Sequence, residues 1–280
     1  MKINPILKRD MMVQSRSYTI PFVISGINGI LFLIGLLGVF GVTARMQHSA
    51  ENEYEALLSI YILVVMIWFG LIVLVAPSLT AGGISGERQT KTLDLMLITL
   101  MKPMDIIGGK ILSSLWSIIV MFISCVPAMM IPLLFGGVST MRTVLIMLAM
   151  VPMILLFLSI GIFASSIGST SIKSTAIAYA ITAFICIGTV VIAMLSANFT
   201  GNSNNYLAYL LVFNPVSTII SLLAGAIGEI GFLGKLFNAL CLTPERAFLK
   251  FYPLVSILFQ LMLSAVFIIL TVLNITPKRK

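Results

Sequence analysis

The chain has 280 residues, of which 59% are hydrophobic and 9% charged, and a formal net charge of +8. A soluble domain carries charge at about a quarter of its positions, so this composition excludes a water-facing surface and points to an integral membrane protein. The basic excess does not call for nucleic acid, because in membrane proteins Lys and Arg collect beside the spans on the cytoplasmic side.

At the N-terminus, Asn4-Pro5 reads as a helix cap followed by proline at the first helical position. Ile3, Leu7, Met11 and Tyr18 fall on one side of the helix that follows, and Lys8, Arg9 and Arg16 on the other. That pattern suits a helix over residues 1–17 lying in the interface, with its basic face at lipid headgroups. A basic tail that only sets topology is the alternative. The apolar run that follows is longer than the 7–15 residues of a secretory signal, so the first span is expected to stay in the mature protein. A helical span needs about 20 predominantly apolar residues. The segments 18–42, 57–79, 111–134, 144–167, 175–195 and 252–275 meet this and contain no Asp, Glu, Lys or Arg. A further stretch, 206–242, is broken by Asn214-Pro215 and carries Glu229 and Lys235. It reads as short re-entrant helices dipping into the outer face, with the broken backbone buried by protein. With the N-terminus inside and six spans, twelve of the seventeen Lys and Arg fall on the inner side, as the positive-inside rule requires. A seventh span would put Lys278-Arg279-Lys280 outside. The expected fold is therefore an all-α polytopic membrane protein with six transmembrane helices, both termini in the cytoplasm.

Catalytic chemistry finds no footing. Gly108-Gly109-Lys110 resembles the end of a P-loop, but residue 104 is Met and residue 111 is Ile, where that motif needs Gly and Ser or Thr. Cys125, Cys186 and Cys241 have no CxxC spacing and no nearby His, so a zinc site or disulfide framework is not supported. His48 stands alone, and there is no GxSxG nucleophile elbow. No catalytic residue, metal or cofactor is expected in the chain itself. Ion-driven carriers usually hold ionisable residues within their spans; none is present here, so energy for uphill movement would come from a partner.

The exception to the apolar pattern is GERQTKTLDLMLITLMKP, residues 86–103. Pro77 and Gly82-Gly83 mark the end of the second span, and Ser85 is placed to cap a following helix. Leu93, Met96, Leu97 and Leu100 then fall on one stripe at i, i+3, i+4 and i+7. Glu87, Lys91 and Asp94 lie opposite, with Glu87 and Lys91 at the i,i+4 spacing that contributes about 0.2–0.5 kcal/mol. Pro103 ends this helix, and Asp105 is placed to cap the next. Two readings stand: a solvated helix resting on the membrane, or a helix that docks into a soluble partner.

ISGERQTKTLDLMLITLMKPMDIIGGKIL, residues 84–112, resembles the signature region of ABC-2 type permeases, the membrane subunits of one class of ATP-binding-cassette transporters. Glu87-Arg88, Thr92-Leu93, Leu95, Leu97, Thr99, Ile107 and Gly109-Lys110 match that pattern. Lys91 stands where the family usually has Gly, and Leu100 where it usually has Pro. NPILKRDMMVQSRS resembles the family's N-terminal elbow helix, and FNPVSTI at residues 213–219 its segment after the fifth span. The resemblance implies that residues 85–103 form the cytoplasmic coupling region, with Glu87, Arg88, Lys91 and Asp94 meeting an ATPase subunit. Leu93, Met96, Leu97 and Leu100 would anchor the helix to the chain's own spans. It also implies two cytosolic ATPase subunits that bind ATP and Mg, a second permease copy or paralogue, a bacterial plasma-membrane location, and export over import. Asn28, Ser124, Thr182, Thr189 and Gln260 could line a substrate path or serve as helix–helix glue. A hydrophobic or amphipathic cargo (peptide, drug or lipid-like) is the expectation. The alternative is a non-transporting scaffold or sensor subunit that anchors a cytosolic regulator.

Overall fold

The computed structural model describes residues 9, 10, 12, 19–43, 50–91, 103–134, 139–200, 206–227 and 246–275. Its elements are α1 (Thr19–Thr43), α2 (Ala50–Ala81), the short α3 (Ser85–Gln89), α4 (Pro103–Leu134), α5 (Thr140–Ile167) and α6 (Ser171–Ala183). A π turn (Phe184–Gly188) carries α6 directly into α7 (Thr189–Thr200). A 3-10 segment (Tyr206–Phe213), α8 (Pro215–Ile227) and α9 (Arg246–Ile275) follow. No strand occurs among the described residues. The fold is an all-α polytopic membrane bundle. Stretches within α2, α4, α5, α6–α7 and α9 are long and apolar enough to cross a membrane, by length and composition, and α1 has a shorter apolar stretch, Ile24–Gly38.

The bundle is organised around α5. From Met153 to Ser166, every side chain except Leu155 and Phe163 is buried, as expected of a helix that is apolar on all sides. α2, α6 and α9 pack on it directly, α8 fills the space between α9 and α5, and α1 and α4 pack on α2. Lipid is as apolar as Leu, so such helices are held by close packing and interhelical hydrogen bonds rather than by flight from water. Both are visible where α2 crosses α5. Thr80 Oγ1 donates to the Leu158 carbonyl at 2.9 Å, and Gly161 faces Pro77 so closely that an added Cβ would lie 2.5 Å from the Pro77 carbonyl oxygen. Elsewhere Trp68 stacks on Phe122 at 4.2 Å between centroids, Phe163 meets Phe267 at 5.3 Å, and Tyr61 and Thr143 share a hydrogen bond at 3.0 Å. Cys125 and Cys186 are free thiols packed into the core.

α2 passes through Pro77 and ends at Ala81, immediately before the expected Gly82-Gly83 stop. A proline is tolerated in a membrane helix, and one turn before it Tyr179 of α6 donates to the Leu74 carbonyl at 2.6 Å, tying α6 to this part of α2. α4 begins at Pro103, two residues before the expected Asp105 cap, and runs unbroken into the 111–134 span. Pro103 is its first residue, and Asp105 lies inside the first turn rather than capping it, where a carboxylate still suits the helix dipole.

The π turn in the fifth long helix is a further departure. Such a widened turn frees backbone carbonyls, and side chains take them up: Thr189 Oγ1 donates to the Ile185 carbonyl at 2.7 Å and Asn214 Nδ2 to the Cys186 carbonyl at 2.9 Å. The same Asn214 nitrogen reaches Thr189 Oγ1 at 2.8 Å, while its Oδ1 caps α8 by accepting from Val216 N at 2.8 Å. Within the 206–242 stretch, the described part is thus two short helices joined at a fully buried Asn214. Residues 228–242 lie outside the described residues.

Candidate functional site

The charged segment begins with a sharp turn. Gly83 N donates to the Thr80 carbonyl at 3.0 Å, and α3 starts two residues later. Its first amides are orphan donors, yet Ser85 does not cap them. Ser85 Oγ turns back to the Ala81 carbonyl at 3.0 Å, and the capping oxygen comes from α5: Ser165 Oγ accepts from Ile84 N at 2.8 Å and from Ser85 N at 3.0 Å. α3 is therefore fastened to the central helix from its first residue.

The expected amphipathic helix from Ser85 towards residue 103 is not one continuous element. α3 ends at Gln89, and Lys91 has left-handed backbone with φ 56°. That geometry is where glycine commonly ends a helix, which gives a physical reason for the glycine usual at this position in the permeases the segment resembles. Residues 92–102, and with them Leu93, Asp94, Met96, Leu97 and Leu100, lie outside the described residues, as do Lys8 and Arg16.

Glu87 and Arg88 use their charges inside the chain. Glu87 Oε1 meets Lys110 Nζ of α4 at 2.8 Å, with both side chains largely shielded. The same oxygen receives Arg9 at 3.3 Å. Arg9 in turn pairs with Asp10 at 3.0 Å and is about half exposed. Burial alone would lower the Arg9 pKa; the paired Asp10 and Glu87 carboxylates outweigh it and raise the pKa above its ordinary value. Arg88 reaches the other way. Its two terminal nitrogens donate to the Ser166 carbonyl at 3.0 Å and the Gly168 carbonyl at 3.2 Å, where a cation favours the negative end of the α5 dipole. Ser171 Oγ at the start of α6 donates to Gln89 Oε1 at 3.2 Å. One short helix thus grips α4, α5, α6 and the N-terminal segment together. Of the polar residues expected at an outside contact, Arg88 and Lys91 are exposed, Glu87 is only partly so, and Asp94 lies outside the described residues.

The ABC-2 family transporter protein family matches residues 11–275. The chain belongs to this family. No curated protein sequence matches it. As an ABC-2 protein with long apolar helices it is a membrane permease, of a family of transport components generally non-catalytic themselves, and the family implies association with ABC ATPase subunits.

In this ABC-2 permease the two ends of the signature meet. Glu87-Arg88 opens the motif, Gly109-Lys110 closes it, and the Glu87–Lys110 ion pair joins them across the intervening residues. Lys110 was legible only as a failed P-loop lysine or as a motif match; the sign that could have paired it was an acid and a base at the facing ends of the two helices that flank the charged segment. Ser165 carried no sequence signal, and Asn214 only that of a helix break at Asn214-Pro215 and of the resemblance of FNPVSTI. The five polar residues of the possible path each have a hydrogen bond within the fold. Asn28 Oδ1 accepts from Cys125 Sγ at 3.0 Å, Ser124 and Thr182 bond back to carbonyls of their own helices, Thr189 joins the Asn214 cluster, and buried Gln260 donates to Thr218 and Ser256. No hydrogen bond among the described residues joins any two of the five. Among the described residues no group of three His, Cys, Asp or Glu is placed to hold a metal ion.

Proposed function

We propose that this permease is the membrane subunit of an ATP-driven exporter of a hydrophobic or amphipathic molecule, powered by separate cytosolic ATPase subunits that grip residues 85–103. α1 is the sixth span, 25 residues long, and both termini are cytoplasmic. The supporting observation is the set of bonds from one five-residue helix to α4, α5 and α6 at once. A force applied to that turn reaches most of the bundle without deforming it, which is what a lever between an engine and a transport path requires. In this arrangement exposed Lys91, and Asp94 beyond it, meet the ATPase, while Glu87 and Arg88 also hold the lever to the helices behind it. Two ATPase subunits act on two permeases, identical or paralogous, and substrate passes along the interface between them. ATP and Mg belong to the partner.

Affinity purification of the chain from native membranes, with identification of bound subunits and ATP turnover measured in lipid, tests this reading. An ABC ATPase whose turnover rises in the complex supports it. Labelling that places residues 86–103 on the external side, or transport by the chain alone without a nucleotide-hydrolysing subunit, overturns it.

A further inference from the structure

One face of α9 is polar and turned inward. Tyr252, Ser256, Gln260 and Ser264 follow one another at i+4 spacing and are all buried, although Phe251–Ile275 is apolar enough to cross a membrane. Across this face lies α8. Tyr252 and Ser217 share a hydrogen bond at 2.8 Å, Thr218 and Ser256 share another, and Gln260 Nε2 donates to Thr218 Oγ1 at 2.8 Å and to Ser256 Oγ at 3.1 Å. The hydrogens around Gln260 are accounted for. Thr218 Oγ1 faces the Asn214 carbonyl at 3.0 Å, and Ser256 Oγ faces the Val212 carbonyl at 2.6 Å. These hydroxyls give their hydrogens to those carbonyls or to each other and have none for Gln260. The amide is thereby fixed with both N–H groups on the hydroxyls and its oxygen on the far side. Gln260 is fully buried, and its Oε1 has no hydrogen-bond partner among the described residues. Reversing the amide gives no relief, because it strands two N–H groups in place of one oxygen.

A buried acceptor with no donor bears the full cost of its lost hydration. We propose that Gln260 Oε1 holds an internal water molecule in the seam between α8 and α9. Gln260 lies well inside the 251–275 stretch, out of reach of bulk solvent. The hydrogen-bonded pairs run in the same direction along both helices, from Ser217 with Tyr252 to Thr218 with Gln260. The next turn therefore brings Ser221 of α8 level with Gln260 and Ser264 of α9. Ser221 and Ser264 are buried, and each gives its hydrogen to a carbonyl of its own helix at 2.7 Å, which leaves their oxygens as acceptors. A seam rimmed by acceptors is completed by a donor. Water supplies two O–H groups and meets here the two or more polar partners it needs. An ammonium group or a metal cation does not suit the seam, because none of these side chains carries a charge to offset it away from water.

The test uses the full chain in liposomes, with isotope-labelled Gln, Ile and Leu, and reads magnetisation transfer from water protons by solid-state NMR. The chain has four glutamines, Gln14, Gln47, Gln89 and Gln260, and the Gln260 signal is the one lost in Gln260→Met. Transfer to the Gln260 side chain is expected to approach that of exposed Gln89 and to exceed that of the buried methyls of Ile219 and Leu223 by about five-fold, as an ordered water in direct contact requires. Ser264→Val leaves the bonds of Gln260 to Thr218 and Ser256 in place but fills the seam with methyl groups, so transfer to Gln260 should fall to the level of those methyls. Transfer no faster than to Ile219 and Leu223 in the unmodified chain overturns the proposal. Unchanged transfer in Ser264→Val also overturns it, because the water is then not in this seam. Ser221→Val makes the same test from α8 where Ser264→Val does not fold.

Discussion

Gly161 sets how closely α2 approaches α5. A Cβ there would press on Thr80 Oγ1 and on the Pro77 carbonyl, which belongs to backbone and cannot swing aside. Gly161→Ala is expected to destabilise the protein by about 1–3 kcal/mol, the usual range for overpacking. The control is Gly70→Ala in α2, where nothing lies within 4 Å of the added carbon; there the better helix propensity of Ala makes the change neutral or stabilising. Thermal unfolding in detergent separates the two. At Lys91 the argument runs the other way. Its φ of 56° suits glycine, and a non-glycine residue held in left-handed backbone loses about 1–2 kcal/mol. Part of that is offset because glycine has more freedom to lose on folding. Lys91→Gly should raise stability by about 0.5–1 kcal/mol, whereas Lys91→Val should lower it; a melt in which Val is the better tolerated contradicts this account of the turn.

Among the elements, the fifth long helix shows what a sequence can and cannot declare. Its existence was legible, because an uncharged apolar run of about 20 residues is long enough to cross the bilayer as a helix. Its π turn was not, because the side chain that takes up its Cys186 carbonyl, Asn214, lies 28 positions away. The same holds for α3, whose cap comes from Ser165 at a separation of 80, so a local capping rule assigned the task to Ser85. A helix start near Pro103 and Asp105 was legible; that Lys110 within this helix is neutralised by Glu87 was not, because the partner lies on another element. The site was therefore legible as a segment and a motif, but not as a set of contacts. Asn214 gives the element-scale prediction. Asn214→Ala removes the α8 cap and strips the Cys186 carbonyl of its side-chain donor. The expected loss is about 2–4 kcal/mol, with faster hydrogen exchange in α8 and in the π turn than in α2. A uniform change across all helices would mean that Asn214 does not lock these two elements to each other.

Across the whole molecule, the α5-centred packing and the four-way grip of α3 divide the labour between stability and transmission. Most of the bundle is held by apolar contacts to α5 and would survive loss of the Glu87–Lys110 pair, provided neither charge is left alone. That separation makes a decisive comparison available. Lys110→Met alone leaves the largely shielded Glu87 carboxylate to the longer contact with half-exposed Arg9 and should cost up to about 3 kcal/mol, no more than the low end for a broken buried pair. Removing both charges, as Glu87→Gln with Lys110→Met, leaves no uncompensated charge and should recover most of that loss. Stability returns, but the tether between α3 and α4 does not. If the turn is the lever proposed here, the double variant in proteoliposomes with its ATPase should hydrolyse ATP at a rate close to the unmodified complex while moving less cargo per ATP. Recovery of both stability and transport yield would show that the pair only balances charge, and that force reaches the bundle through Arg88 and Gln89 on α5 and α6 instead.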